Sequence, residues 1–181
     1  MFFRLLWLSF RTRRGPRIQP TDVARTAFRV WPTDLDVLMH MNNGVYLSIM
    51  DLARIDLMAR SGAWARLRKR GYYPVVVSST ITYRKSLEPW QRFEVETAII
   101  GLDGKAGYVE QRFVRGGEIH ARAIVKARFL AKSGGTVPMD ELAELFGLDL
   151  AAHPLPEWVR ECSERAALPT RREPAPSTWE I

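Results

Sequence analysis

The chain has 181 residues, of which 46% are hydrophobic, and carries a formal net charge of +7. That length fits one domain with short extensions, and the apolar share is enough for a proper core. A single cysteine, Cys162, excludes an internal disulfide and fits a reducing compartment, while three scattered histidines, His40, His120 and His153, lack the spacing of a metal site.

The positive charge favours anionic partners: nucleic acid, an anionic membrane or a phosphorylated substrate. Arginines spread along the whole chain equally describe a basic, solubilising surface, and no recognised nucleic-acid-binding motif accompanies them. No nucleic-acid partner is therefore expected.

The first ten residues are mostly apolar, and Arg11, Arg13 and Arg14 follow them. A spanning helix needs about 20 apolar residues, so this segment is too short to cross a bilayer, and it lacks the charged start and small-residue cleavage site of a secretory signal. Two readings remain: peripheral membrane contact through residues 1–14, with Trp7 and Phe10 at the boundary, or packing on the domain or on a subunit partner. The expected location is cytoplasmic, with the membrane periphery as the variant.

Ala27-Phe28-Arg29-Val30-Trp31 reads as a short strand, which Pro32 interrupts. Next comes a loop, Asp34 to Tyr46, that crowds two carboxylates, an imidazole and two amides against an apolar segment, Val45 to Ala59. Asn42 or Asn43 suits a helix N-cap, and Gly44 allows close backbone approach. The narrow polar stripe of the following segment predicts a helix buried nearly all round, with local pairs Asp51–Arg54 and Asp56–Arg60. Gly62 offers a stop, and Trp64 to Arg70 a short basic helix.

Strands are expected over Val75–Tyr83, Phe93–Ile100, Gly107–Val114 and Ile119–Leu130, with Asp103-Gly104 and Gly116-Gly117 as hairpin signals. Met139–Phe146 and Trp158–Ala167 read as short helices in or before a Pro-rich tail. The boundaries that follow are 1–22 for an apolar and basic extension, 23–150 for the domain and 151–181 for the Pro-rich extension. A strand, a long buried helix and four antiparallel strands describe an α+β fold in which a curved antiparallel sheet wraps one central helix. The sheet's outer edges need covering, which points to a homodimer or homotetramer.

With those elements in place, Asp34-Leu35-Asp36-x-x-x-His40-x-Asn42-Asn43-x-x-Tyr46 resembles the signature of the 4-hydroxybenzoyl-CoA thioesterase-like superfamily and of plant acyl-ACP thioesterases. The order of elements resembles their hotdog fold. The run from Asp34 to Arg54 is more similar still to the thioesterase superfamily member six group. The likeness covers roughly 28–130. It implies an acyl-CoA or acyl-ACP thioesterase needing no metal or other cofactor. In that reading Asp36 matches a catalytic carboxylate, His40 a functional histidine, and Asn42 and Asn43 the paired amides. Asp51 matches a carboxylate that is often Glu in relatives. One position departs: Leu38 stands where the plant type has a functional Asn.

A thioester is already activated, so its hydrolysis needs a base or carboxylate nucleophile and donors for the oxyanion. Asp36 and His40 suit the first role, and Asn43 or the backbone N–H groups of Gly44 and Val45 the second. Each has a plainer reading: Asp36 as a turn aspartate, His40 as a buried hydrogen-bonded histidine, Asn42 as a cap, Asp51 as the partner of Arg54. Arg84 and Lys85, at a strand end, are the candidate phosphate ligands for coenzyme A. The acyl group is expected in an apolar slot along the helix. The competing reading is a non-catalytic, membrane-associated acyl-binding or regulatory protein, motivated by Leu38 and the N-terminal segment. A hydratase or dehydratase of the same fold is disfavoured, because its His-Phe-Pro loop is missing.

Overall fold

The apolar run after Asn43 folds into the helix around which the other elements are arranged. In the computed structural model, which describes Arg4, Thr12 and residues 15–149, 154–170 and 173–177, this helix, α1, spans Asn43–Arg60. Five strands face it: β1 (Ala24–Arg29), β2 (Tyr72–Tyr83), β3 (Arg92–Leu102), β4 (Gly107–Arg115) and β5 (Glu118–Ala131). They form one antiparallel sheet in the order β1-β3-β4-β5-β2, so β1 and β2 are its edges. Three shorter helices complete the chain: α2 (Ala63–Arg70), α3 (Met139–Phe146) and α4 (Glu157–Arg165). This is the hotdog arrangement expected from the order of elements.

The inner face of the sheet supplies Phe28, Phe93, Phe113, Val95 and Val125, and α1 supplies Tyr46, Ile49, Met50 and Ala53. The aromatic rings stack in a row, with centroids 5.9 Å apart for Phe28–Phe93, 5.8 Å for Phe93–Phe113 and 4.8 Å for Tyr46–Phe113. Removing any one of these phenylalanines would cost about 3–5 kcal/mol. Gly116 and Gly117 form the β4–β5 turn with φ of +58° and +79°, the left-handed backbone that a two-residue hairpin requires.

Two expectations need correction. First, α1 is not buried all round within one chain. Leu47, Asp51 and Ile55, spaced four residues apart, form an exposed stripe, because a single sheet covers only one side of a helix. Second, the first strand runs Ala24–Arg29 rather than to Trp31. Trp31 instead leads into a short helical turn at Pro32–Asp34.

The three valines that open β2 also have a structural reason. The β2–β5 register skips Val77, which is a bulge between Val76 and Ser78. Because side chains alternate with period two, one extra residue swaps the faces. Pro74 and Val76 point to the helix side before the bulge, and Ile81 and Tyr83 after it.

On the outer face, Leu155 and Val159 of the C-terminal extension pack on Ala106 and Tyr108. Gly101 makes this contact possible, since a Cβ there would lie 2.7 Å from the Leu155 Cα. Among the described residues, no helix is long and apolar enough to cross a membrane. Apart from Arg4 and Thr12, the candidate membrane segment 1–14 lies outside the described residues. Those two side chains contact the domain, Arg4 at Asp34 and Thr12 at Asp56.

Candidate active site

The motif loop is a small hairpin. Leu35 bridges Met41, the Asp36 N–H donates to the His40 carbonyl at 2.8 Å, and the Met39 N–H closes a turn on the Asp36 carbonyl at 3.1 Å. Asp36 and His40 therefore face each other at its base. Val37, Leu38 and Met39 form its tip, with Met39 at φ +62°. The tip is unusually apolar for a surface turn: Val37 is 98% exposed, Leu38 70% and Met39 60%.

Asp36 Oδ1 accepts from the N–H groups of Leu38 at 2.8 Å and His40 at 3.3 Å. The turn-aspartate role thus occupies only one of the two oxygens. Oδ2 has no partner among the described residues, and neither has the His40 imidazole. Asp34 is different in kind. It is buried, and both its oxygens are held by the Arg4 guanidinium; Oδ2 also accepts the Trp31 N–H at 2.7 Å, and the Asp34 carbonyl accepts the Asn42 N–H at 2.8 Å. The first carboxylate therefore anchors the hairpin, and the second remains open for chemistry.

Asn42 caps α1, its Oδ1 accepting from the Gly44 N–H at 2.8 Å and its carbonyl from the Val45 N–H at 2.9 Å. Both backbone donors expected to serve an oxyanion are thereby engaged. Asn43, the first residue of the helix, has neither its backbone N–H nor its side-chain amide partnered among the described residues. It sits where the helix dipole is positive.

The segment between β2 and β3 lies against this hairpin. The Met41 N–H donates to the Leu87 carbonyl at 2.9 Å, and the Trp90 N–H to that of Val30 at 2.9 Å. Tyr46 is bonded to the backbone of Leu87, and burial pushes its phenol up to about 12. Arg84 and Lys85 start this segment but turn away to Glu118. Lys85 is in direct contact with it, and Arg84 lies 3.9 Å from it while donating to the Ile119 carbonyl at 3.2 Å. A phosphate would have to displace Glu118 to use them.

A large apolar cavity lies elsewhere. It measures about 370 Å³ and is walled by Ile55, Met58, Trp64, Val76, Val109 and Phe129, between the C-terminal half of α1 and the inner sheet face. Asp51 and Arg54 stand on its wall. Asp51 is eight residues beyond Asn43, about 12 Å along the helix axis. The hairpin and the cavity of one chain are thus at opposite ends of α1.

Arg54 anchors a polar network of which the sequence revealed only the Asp51 pair. Its Nη1 donates to Gln111 Oε1 at 2.5 Å and its Nη2 contacts Asp51. Fully buried Gln111 donates to the Met50 carbonyl at 3.0 Å and to Thr97 Oγ1 at 3.1 Å. Burial lowers the Arg54 guanidinium from its usual value, and the Asp51 charge opposes that shift. Thr97 and Gln111 each sit in strand alternation opposite charged residues, the only signal that they face inward.

The chain is similar to known proteins. A family model described as a thioesterase-like superfamily matches residues 30–162. The chain belongs to that superfamily. It is 42% identical over 99 residues to Protein THEM6 of Xenopus laevis, covering 55% of this chain and 48% of the frog protein. It is 34% identical over 128 residues to Protein THEM6 of Danio rerio, covering 70% of this chain and 63% of that one. The matches thus span about half to under two thirds of these relatives' lengths. Among solved structures, the YbaW probable thioesterase of Escherichia coli superposes with a TM-score of 0.65 at 25% identity, over 67% of this chain and 95% of that one.

Proposed function

We propose that the protein hydrolyses an acyl thioester, acyl-CoA or acyl-ACP, at a site completed by a second copy of the chain. The observation that carries this reading is the Asp36–His40 hairpin base beside the unpartnered Asn43 amide at the start of an 18-residue helix. Asp36 Oδ2 takes a proton from water as the water oxygen bonds to the thioester carbonyl carbon. The oxyanion accepts from the Asn43 N–H. The C–S bond then breaks, and the departing sulfur takes up a proton from His40 or from the Asp36 carboxyl group.

The second copy explains why hairpin and cavity are apart. Tyr46, in the first turn of α1, packs edge-on at 5.0 Å against Tyr83 at the end of β2. Ile55 and Met58 share the cavity with Pro74 and Val76 near the start of β2. Helix α1 therefore runs antiparallel to β2, along an edge strand that exposes Val76 and Val77. If two β2 edges pair about a two-fold axis, each hairpin comes beside the other copy's cavity mouth, and the Leu47–Asp51–Ile55 stripe is covered. The exposed tip Val37–Met39 then meets the exposed Ile55 and Trp64.

The test is steady-state hydrolysis of acetyl-, hexanoyl-, palmitoyl- and benzoyl-CoA by wild type and Asp36→Asn. The asparagine retains an acceptor for the turn. A loss of about 10²–10⁴-fold in kcat with unchanged Tm is expected. Wild-type protein inert toward the whole panel would move the reading to acyl binding without catalysis.

A further inference from the structure

The outer face of the sheet carries a second, unlike cavity of about 170 Å³, roofed by α4. Its floor sets polar and cationic groups around apolar Ile124 and the Tyr108 ring. Ser78, Thr80 and Thr82 of β2 stand beside Arg122 and Lys126 of β5, while Trp158, Cys162 and Ser163 reach down from the helix. We propose that this cavity binds a phosphate group, held between the Arg122 guanidinium and the Lys126 ammonium.

Three observations favour an anion. The Arg122 guanidinium, 5.1 Å from the Trp158 ring centroid, has no carboxylate or other hydrogen-bond acceptor among the described residues, so its N–H fork is open. Lys126 donates to Ser163 Oγ at 2.8 Å and lies 3.8 Å from Asp103 Oδ2. That carboxylate is itself taken up by the Tyr108 hydroxyl at 2.7 Å and, on Oδ1, by the N–H groups of Lys105 and Ala106. The balance at the floor, two cations against one carboxylate, leaves one positive charge. The hydroxyls of Ser78, Thr80 and Thr82 have no partner among the described residues and are aligned along one strand face by the bulge at Val77. Guanidinium, ammonium and hydroxyl donors converging in a pocket match phosphate oxygens.

This site is separate from the thioester chemistry. Its residues alternate along β2 and β5 with Ile81, Ala121, Ala123 and Val125, which face α1. The sheet therefore stands between the two cavities. The phosphate could be free inorganic phosphate or the phosphate of a nucleotide, whose base would find Trp158, 44% exposed, at the rim.

Cys162, the chain's sole cysteine, lines the cavity and is exposed, so it reports occupancy of this site alone. The experiment is the rate of Cys162 alkylation by iodoacetamide in the full-length protein, titrated with inorganic phosphate and, separately, with ADP. Saturable protection is expected in wild type and in Asp36→Asn. Arg122→Gln and Lys126→Gln should each weaken the apparent affinity about ten-fold or more, and added salt should weaken it further. Equal protection by both ligands identifies free phosphate as the occupant, and tighter protection by ADP a nucleotide. Thr80→Val, on an exposed strand position, gives a second variant with little risk to folding and should weaken binding less than either charge change. Unprotected Cys162 at high phosphate and ADP, or protection untouched by both charge substitutions, would overturn the proposal. Neither result depends on whether the wild-type protein hydrolyses thioesters.

Discussion

The two ends of α1 divide the requirements of the proposed reaction between them. The N-terminal end has titratable groups with open lone pairs, a helix dipole and an amide unpartnered among the described residues, yet it lines neither of the two cavities described above. The C-terminal half has an apolar cavity of about 370 Å³, yet the polar groups on its wall, Asp51 and Arg54, are spent on each other and on Gln111. On the proposed reading, one end supplies the chemistry and the other the space for an acyl chain. The exposed stripe between them and the unpaired edge of β2 support the proposed unit, in which two unlike ends from two chains are joined.

The sharpest way to break that comparison is to damage each end in a different protomer. Asp36→Asn removes the base, and Ala127→Phe fills the cavity on the β5 side. Each homodimer should lose activity by about 10²-fold or more. Co-expressed in equal amounts, half of the dimers are mixed, and each of these has one intact composite site. About a quarter of the wild-type rate should return, which follows from random two-fold assembly. A mixture that stays inactive, with dimers confirmed by sedimentation, would place the whole site within one chain.

The network at the middle of the helix is where a large loss of stability is expected. Gln111→Ala leaves an Arg54 N–H, the Met50 carbonyl and Thr97 without their buried partner, besides opening a void. Chemical denaturation should show a loss of about 3 kcal/mol. A loss below about 1 kcal/mol would mean that water or a side-chain shift fills the gap.

The same contrast shows what a sequence can reveal. The helix, the hairpin signals and the Asp36–His40 motif are local patterns, and the fold they imply is the one observed. The Asp51–Arg54 and Asp56–Arg60 pairs were legible for the same reason, since helical spacing alone makes them neighbours. What depended on distant partners was not. Thr26 bonds buried Asp56 at 2.8 Å across 30 residues, and Arg4 neutralises Asp34 over the same separation. Gln111 and Thr97 read as ordinary polar strand residues until the sheet turns them inward. Glu118 claims Lys85 because the β2–β5 pairing brings them together, which no local pattern records. The bulge at Val77 also hid in a run of valines that fits either face.

Alkaline pH should separate the two ends more gently. Tyr46 belongs to the hairpin end, and its phenol is held up to about 12 against an ordinary 10.0. The unfolded chain loses this proton first as pH rises, so the unfolded state gains relative to the folded one. The contribution is therefore complete below pH 10 and is lost progressively between pH 10 and about 12. Its size is about 2–3 kcal/mol at most. Tyr46→Phe should lower stability modestly at pH 8, through the lost bond to Leu87, and flatten the decline above pH 10. Equal alkaline slopes in the two proteins would assign the decline to other groups.

The smallest effect tests whether the hairpin end has a spare donor. Asn42→Ala removes a single hydrogen bond, that from the Gly44 N–H, because the backbone groups of Asn42 keep their bonds to Asp34 and Val45. The cost should be about 1 kcal/mol, restored by Asn42→Asp, whose carboxylate accepts in the same place. The Gly44 N–H is then free at the positive end of α1, one residue from the Asn43 amide. If Asn42 only caps the helix, hydrolysis in the alanine variant should stay within about tenfold of wild type, since an oxyanion gains a donor as the cap is lost. A larger fall in kcat, with Asn42→Asp as inactive as Asn42→Ala, would show that the Asn42 amide N–H, not its oxygen, works on the substrate. The paired asparagines would then share one role at the hairpin end instead of dividing cap from chemistry.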